Sequence, residues 1–402
     1  MTWGAIEPSE SSESRLRLDF GLRPAILRFN EWAVPGLGGA FFVRQLTWGC
    51  MGLLLAQELD GKPSAARIAE GLEALAGWIV VRQAKGRRVE DDRVQGKRKF
   101  AEVAALSFDS VSRGGAYVTV PFRRAVTRAL PGLGFCQEEA RFSALTLTQQ
   151  GLELAESAMT YNDARARICA WLRTRTTELH RASDELKKTL LPVFASDAER
   201  KLVHKQVLEN DERRTIVRLL HRISIEELAG AQGRDLFLAN LPDTGMRKRL
   251  ATCFAFEDVR AASLAAAQEV CNLIDDGPRT GSSLATHAPV IRRFSFLEAH
   301  ASKLNGLLAE DAPEEAAAFC AEQGAGAPLA GRILALCSRV PMIFSVIGDR
   351  IDQGIGYTRE LVADDPSGAP QEETYPQLAV PRPIVRLRRL LVETGERFNH
   401  AR

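Results

Sequence analysis

Residues 140–159 read ARFSALTLTQQGLELAESAM, two periodicities joined at one threonine. Leu145 and Leu147 alternate with Thr146 and Thr148, the period-two pattern of a half-buried strand. From Thr148 onward the spacing changes. Leu152, Ala155 and Met159 fall three and four apart and share one helix face. Thr148 stands where it can cap that helix, with Gly151 in the first turn. Across Arg141–Met159, then, a strand passes straight into a short helix.

Upstream, Phe41–Leu59 reads as a helix with Phe42, Leu46, Met51 or Leu53, and Leu54 along one side and Trp48 nearby. Gly49 and Gly52 cost helix propensity there, which is expected only if another element packs closely against them. Gly61-Lys62-Pro63-Ser64 ends this helix, and Ser64 suits the N-cap of the next. In that helix Ile68, Leu72, Leu75 and Ile79 form an apolar stripe bordered by Trp78. Ala116–Val120 is strand-like, and a basic helix is expected over Phe122–Ala129. Over Ser64–Trp78 and Arg141–Met159 the chain resembles the winged-helix domains of bacterial proteins. The resemblance implies an α+β fold for residues 21–160 and DNA as a partner.

From Asn162 to about Gly354 the pattern is almost wholly helical. Ile168, Trp171 and Leu172 begin one amphipathic run, which Leu186, Leu190 and Leu191 extend and Pro192 interrupts. Leu202, Val203, Val207, Ile216, Leu219, Leu220 and Ile223 form another set. Met246–Ile274 is rich in alanine at packing positions. Ile333–Ile347 reads as a buried helix broken at Pro341, residues 366–383 as a Pro-rich extended segment, and Ile384–Thr394 as a short basic helix. The fold class expected is mainly α: a disordered N-terminus (1–20), the winged-helix-like α+β domain (21–160) and an all-α helical domain (161–402). This layout also resembles uncharacterised bacterial proteins from phage-defence loci.

Bulk composition narrows the function classes. A chain of 402 residues with 45% hydrophobic and 26% charged residues is that of a soluble globular protein. Net charge is only +2, so nucleic-acid binding has to rest on local patches. Glu7, Glu10 and Glu13 precede any apolar run, unlike a targeting peptide. The most apolar stretch, Leu46–Ala56, is shorter than the roughly 20 residues of a spanning helix. Seven scattered cysteines inside helical patterns read as reduced, buried thiols. A cytoplasmic chain without a membrane partner is expected.

Three basic patches stand out. The run Arg82, Lys85, Arg87, Arg88, Arg93, Lys97, Arg98 and Lys99 is interrupted by Glu90-Asp91-Asp92. It reads either as a phosphate-contacting loop or as a solvated one. Arg123, Arg124 and Arg128, and likewise Arg386, Arg388 and Arg389, would sit over phosphate, face an acidic partner, or point into water beside local carboxylates. Arg141 lies at the start of the wing-like strand. Aromatic residues rarely interleave with these patches, which weakens a single-strand stacking platform.

Catalytic patterns are missing. Gly36-Leu37-Gly38-Gly39 and Gly132-Leu133-Gly134 lack the preceding strand, the third glycine and the acidic partner of a dinucleotide site, and read as structural loops. No two histidines stand at i,i+4, and His180 with Asp184 and Glu178 lacks further ligands. Asp184-Glu185-Leu186-Lys187 falls in a helical pattern, where it is an ordinary charged face. Neither a metal nor a cofactor is expected. The chain is read as a non-enzymatic nucleic-acid-binding or scaffolding subunit of a bacterial multi-protein system, antiviral defence included. Its partners would be DNA, other protein subunits or a second copy. The alternatives are a protein–protein or dimerisation module without nucleic-acid binding, and an enzyme whose residues are assembled from distant segments.

Overall fold

A computed structural model describes residues 17–113, 115–118, 120–230, 232–363 and 380–398. The N-terminal stretch up to residue 16 and the Pro-rich stretch up to residue 379 lie outside the described residues. The protein is mainly helical, with nineteen α-helices and three small sheets among the described residues. One compact unit holds the described residues up to Phe29 and from Ala251 to 363; the other holds Asn30–Leu250 and residues 380–398.

The larger unit is built on two helices, α1 (Val43–Glu58) and α2 (Ala65–Gln83). Every residue of α1 from Val43 to Ala56 is buried. The two internal glycines account for that closeness: a Cβ on Gly49 would press on Leu130, and one on Gly52 would press on Ala69. Ser64 has the extended backbone of an N-cap, but its side chain makes no capping bond. Ile68, Leu72, Leu75, Trp78 and Ile79 are all buried as the stripe requires, and the Trp78 indole donates to Val103 O at 2.9 Å.

Next come α3 (Phe122–Gly132), the antiparallel pair β1 (Cys136–Gln137) and β2 (Thr146–Leu147), and α4 (Gln149–Ala158). The expected strand-to-helix passage is present at this point. Thr148 Oγ1 accepts from Gly151 N at 3.2 Å and donates to Gly134 O at 2.7 Å, so one hydroxyl caps α4 and ties it to the strand end. A Cβ on Gly151 would overlap the Phe135 carbonyl, which is why this turn carries glycine. The buried face of α4 is Gly151, Leu154, Ala155 and Ala158, with Met159 just beyond; Leu152 is only half-buried. Ala116–Val118 is turn and bend rather than strand. Tyr117 is instead drawn into the core, stacked on Phe100 with ring centroids 5.6 Å apart.

The two Pro-Gly-Leu-Gly segments are packing partners. A Cβ on Gly36 or on Gly132 would overlap the other's backbone, and Gly36 has φ +69°. Arg213, on the helix α6 (Asp211–Arg222) that follows α5 (Asp197–Leu208), donates to Pro35 O at 2.8 Å and Gly132 O at 3.1 Å. A second buried arginine, Arg44 of α1, donates to Thr189 O and Phe194 O and pairs with Glu199 at 3.1 Å. The unit closes with α7 (Arg382–Glu393).

The helix Thr244–Ile274, which belongs to the smaller unit from Ala251 onward, buries Ala266 and Ala267 from its alanine-rich face. The expected helix across Ile333–Ile347 does not continue past Pro341. Leu329–Ser338 is helical, and Phe344–Ile347 pairs antiparallel with Arg350–Gln353 as a hairpin turning at Gly348, φ +61°. The break is physical: proline cannot extend the helix, and Phe344 and Val346 then alternate with polar Ser345. Arg17–Leu18 pairs in parallel with Val362–Ala363. No helix among the described residues is long and apolar enough to cross a membrane. All seven cysteines are free, six of them buried and Cys169 half-buried.

Candidate nucleic-acid interface

The basic residues divide by what holds them. Arg82, Lys85, Arg87, Arg88 and Arg98 are exposed, as are Arg124, Arg128 and Arg141. Arg124 and Arg128 stand one turn apart on the outer side of α3, whose Ala125, Val126 and Ala129 face inward. Among the described residues no carboxylate forms an ion pair with any of these eight cations. The remaining three sequence candidates are engaged. Arg123 pairs with Glu70 of α2 at 2.5 Å. Lys99 Nζ donates to Gly115 O and Ala116 O at 2.8 and 3.0 Å. Lys97 is half-buried, within the electrostatic reach of Asp91.

The acidic triplet that interrupts the 82–99 run is an anchor. Arg93 bridges Asp91 at 2.8 Å and Glu393 of α7 at 2.6 Å, and Asp92 pairs with Arg389. Arg389 also lies over the Phe41 ring, 4.4 Å from its centroid. These contacts correct the expectation for the C-terminal basic patch. Arg386 and Arg388 are buried, Arg388 over the Phe398 ring at 4.9 Å, so this helix offers neither phosphate contacts nor a solvated charged face. The misleading feature is that arginines flank Leu387 on a helix covered nearly all round.

The exposed cations are spread along α2 rather than gathered at one point. Ala66 N at its start donates to Ser143 Oγ in the segment joining β1 to β2, at 3.3 Å. Arg82 lies at its other end, about 24 Å further along the helix axis at 1.5 Å per residue. The β1–β2 connection carries Glu138 and Glu139 beside Arg141, all exposed, so acid outnumbers base there.

Sequence reasoning missed the polar centre behind this surface. Glu73 is buried, yet its Oε2 accepts from Phe122 N at 2.8 Å, the first N–H of α3. Burial pushes the Glu73 carboxyl well above the usual carboxylate range, against the opposing pull of the Phe122 N–H and the Tyr117 hydroxyl. Burial likewise raises the Tyr117 phenol, helped by the charges of Glu73 and Glu70. Two carboxylates, Glu70 and Glu73, embedded among Ile68, Leu72 and Leu75, were the available signal.

Other titratable groups are spent on structure. His204 Nε2 and His221 Nε2 lie 2.6 and 2.7 Å from the two oxygens of Glu396. His180 and Glu178 are exposed and 3.8 Å apart, and Asp184 pairs with Lys187 on a short helix. No group of three or more His, Cys, Asp or Glu side chains among the described residues is arranged to hold a metal ion. No known family model, curated protein or solved structure matches this chain.

Proposed function

We propose that this chain is a non-enzymatic nucleic-acid-binding subunit of a bacterial multi-protein system, an antiviral defence system being one such setting. In this proposal residues 21–160 act as a winged-helix-like domain inside the cytoplasm, with DNA and partner subunits as ligands. One observation carries it: the exposed cations on and around α3, Arg124 and Arg128 among them, have no carboxylate partner among the described residues. Unpaired cations at a surface are free to exchange their counterions for phosphates. The order α3, β1–β2 hairpin, α4 supports the winged-helix reading. So does the burial of α1 and α2, which leaves α3 as the helix with an open basic face. The hairpin end is net acidic, so α3 rather than the wing tip is assigned the phosphate contacts.

Fluorescence anisotropy with labelled duplex DNA, single-stranded DNA and RNA tests this at low salt. Binding that weakens steeply as salt rises is expected. No affinity for any of the three would overturn nucleic-acid binding and leave the protein–protein module and the enzyme of dispersed residues as the remaining readings.

A further inference from the structure

We propose that Glu73 is the positioning residue of the basic face: its carboxylate joins α3, the loop bearing Arg87 and Arg88, and the Tyr117 segment into one fixed arrangement. The proposal deepens the nucleic-acid reading but has a test that does not depend on it. The geometry begins at the start of α3. Its N-cap is Pro121, which has no side-chain acceptor, so the orphan N–H of Phe122 is served across the fold by Glu73 Oε2 at 2.8 Å.

The same carboxylate reaches two further segments. With the Gln95 amide turned to donate, its nitrogen lies 3.0 Å from Glu73 Oε1 and 3.1 Å from Val120 O. The Tyr117 hydroxyl donates to Glu70 O at 3.2 Å and lies beside the Glu73 carboxyl. Gln95 ends the loop that carries Lys85, Arg87 and Arg88; Tyr117 follows the carbonyls that hold Lys99. The charged and titratable groups facing Glu73 are Glu70 from its own helix, Tyr117, and Arg123 of α3. Glu70 pairs with Arg123, one residue before the exposed Arg124.

A buried carboxylate is a costly way to fill space, and an apolar residue of like size would pack here at lower cost. What the carboxyl group adds is directional: its two oxygens accept from Phe122 N and from the Gln95 amide, and it lies beside the Tyr117 hydroxyl, so it meets three segments that are remote in sequence and each adjoin cations.

The test compares Glu73→Ala and Glu73→Gln in the full chain by hydrogen exchange and by the salt dependence of duplex DNA binding. In Glu73→Ala, peptides covering 84–96, 115–118 and 122–126 should exchange about tenfold faster or more, while α1 and α4 stay protected. Its affinity for duplex DNA should drop about tenfold. Glu73→Gln keeps an oxygen for Phe122 N and, with Gln95 turned to present its oxygen, an N–H for that side chain, and should restore both readouts to within about twofold. Unchanged protection in all three segments of Glu73→Ala overturns the proposal, as does failure of Glu73→Gln to rescue. If the parent chain binds no nucleic acid, the function proposed above fails while the exchange data still decide the role of Glu73. Should Glu73→Ala not fold, Gln95→Ala decides it: loosening of 84–96 alone supports the proposal, and no loosening overturns it.

Discussion

Arg213 spends its guanidinium on backbone carbonyls: Nε on Val207 O at 2.7 Å, Nη2 on Gln206 O at 2.9 Å, and Nη1 on Pro35 O and Gly132 O. All four acceptors lie where α5 ends and the two Pro-Gly-Leu-Gly segments abut. Removing the donor leaves buried carbonyls unsatisfied, each costing about 1–3 kcal/mol. Arg213→Met should therefore destabilise the larger unit by about 3 kcal/mol or more, read as a lower urea midpoint. Arg213→Lys should recover little, because an ammonium cannot reproduce the fork; full recovery would show that charge alone matters there. Glu73 gives a prediction of a different kind. Folding raises its pKa, so the folded chain holds that proton more tightly than the unfolded one. The stability linked to this group is complete below the unfolded carboxylate range, about pH 4, and is lost as pH rises through the folded value. Glu73→Gln removes the dependence, so the variant should gain on the parent between about pH 5 and pH 8. Urea titrations at both values would sink this if the difference between the two proteins stays constant.

At the scale of elements, two glycines separate contact from propensity. Gly132 ends α3 against the Gly36 backbone, and any Cβ there must push the two segments apart. Gly331 sits inside the helix Leu329–Ser338, and a Cβ added to it would meet nothing within 4 Å. Gly132→Ala should lower the melting temperature, whereas Gly331→Ala should stabilise by up to about 1 kcal/mol through helix propensity and unfolded-chain entropy. Equal effects at the two sites would contradict the close approach. The same contrast explains what could be read in advance. Thr148 and Gly151 carry local information, a cap and a first-turn glycine three residues apart, and the helix they start is where the sequence puts it. Ile68, Leu72, Leu75 and Ile79 announce their buried stripe by spacing alone. The repeated Pro-Gly-Leu-Gly was visible, but its meaning depends on contact between positions nearly a hundred residues apart. The basic candidates divide in the same way. Exposure of Arg124 and Arg128 follows from the helix period, whereas the pairing of Arg389 with Asp92 and of Arg123 with Glu70 comes from tertiary packing. The Ile333–Ile347 helix failed because one proline switched the period from helix to strand.

For the whole molecule, a net charge of +2 hides an uneven distribution. Arg386 and Arg388 of α7 are buried and Arg389 is held by Asp92, and in the smaller unit Arg332 and Arg339 are held by Glu298 and Glu322. Around α2 and α3, Arg82, Arg87, Arg88, Arg124 and Arg128 are exposed without an ion pair, so part of any long-range attraction for a polyanion should come from there. Counterion release makes this countable: each phosphate neutralised on duplex DNA contributes about 0.9 to the slope of log affinity against log salt. The double substitution Arg124→Ala with Arg128→Ala touches no buried contact, since both side chains point outward. It should leave the melting temperature unchanged and make the slope shallower by about 1.8. Arg350→Ala, which removes an exposed arginine of the other unit that is already paired with Asp352 at 3.2 Å, should leave the slope where it was. A slope that falls equally in both variants would mean that duplex DNA meets the chain through diffuse charge. A slope lowered only by the α3 pair would assign the contact to that helix and make α2, with its buried carboxylates, the beam that holds it in place.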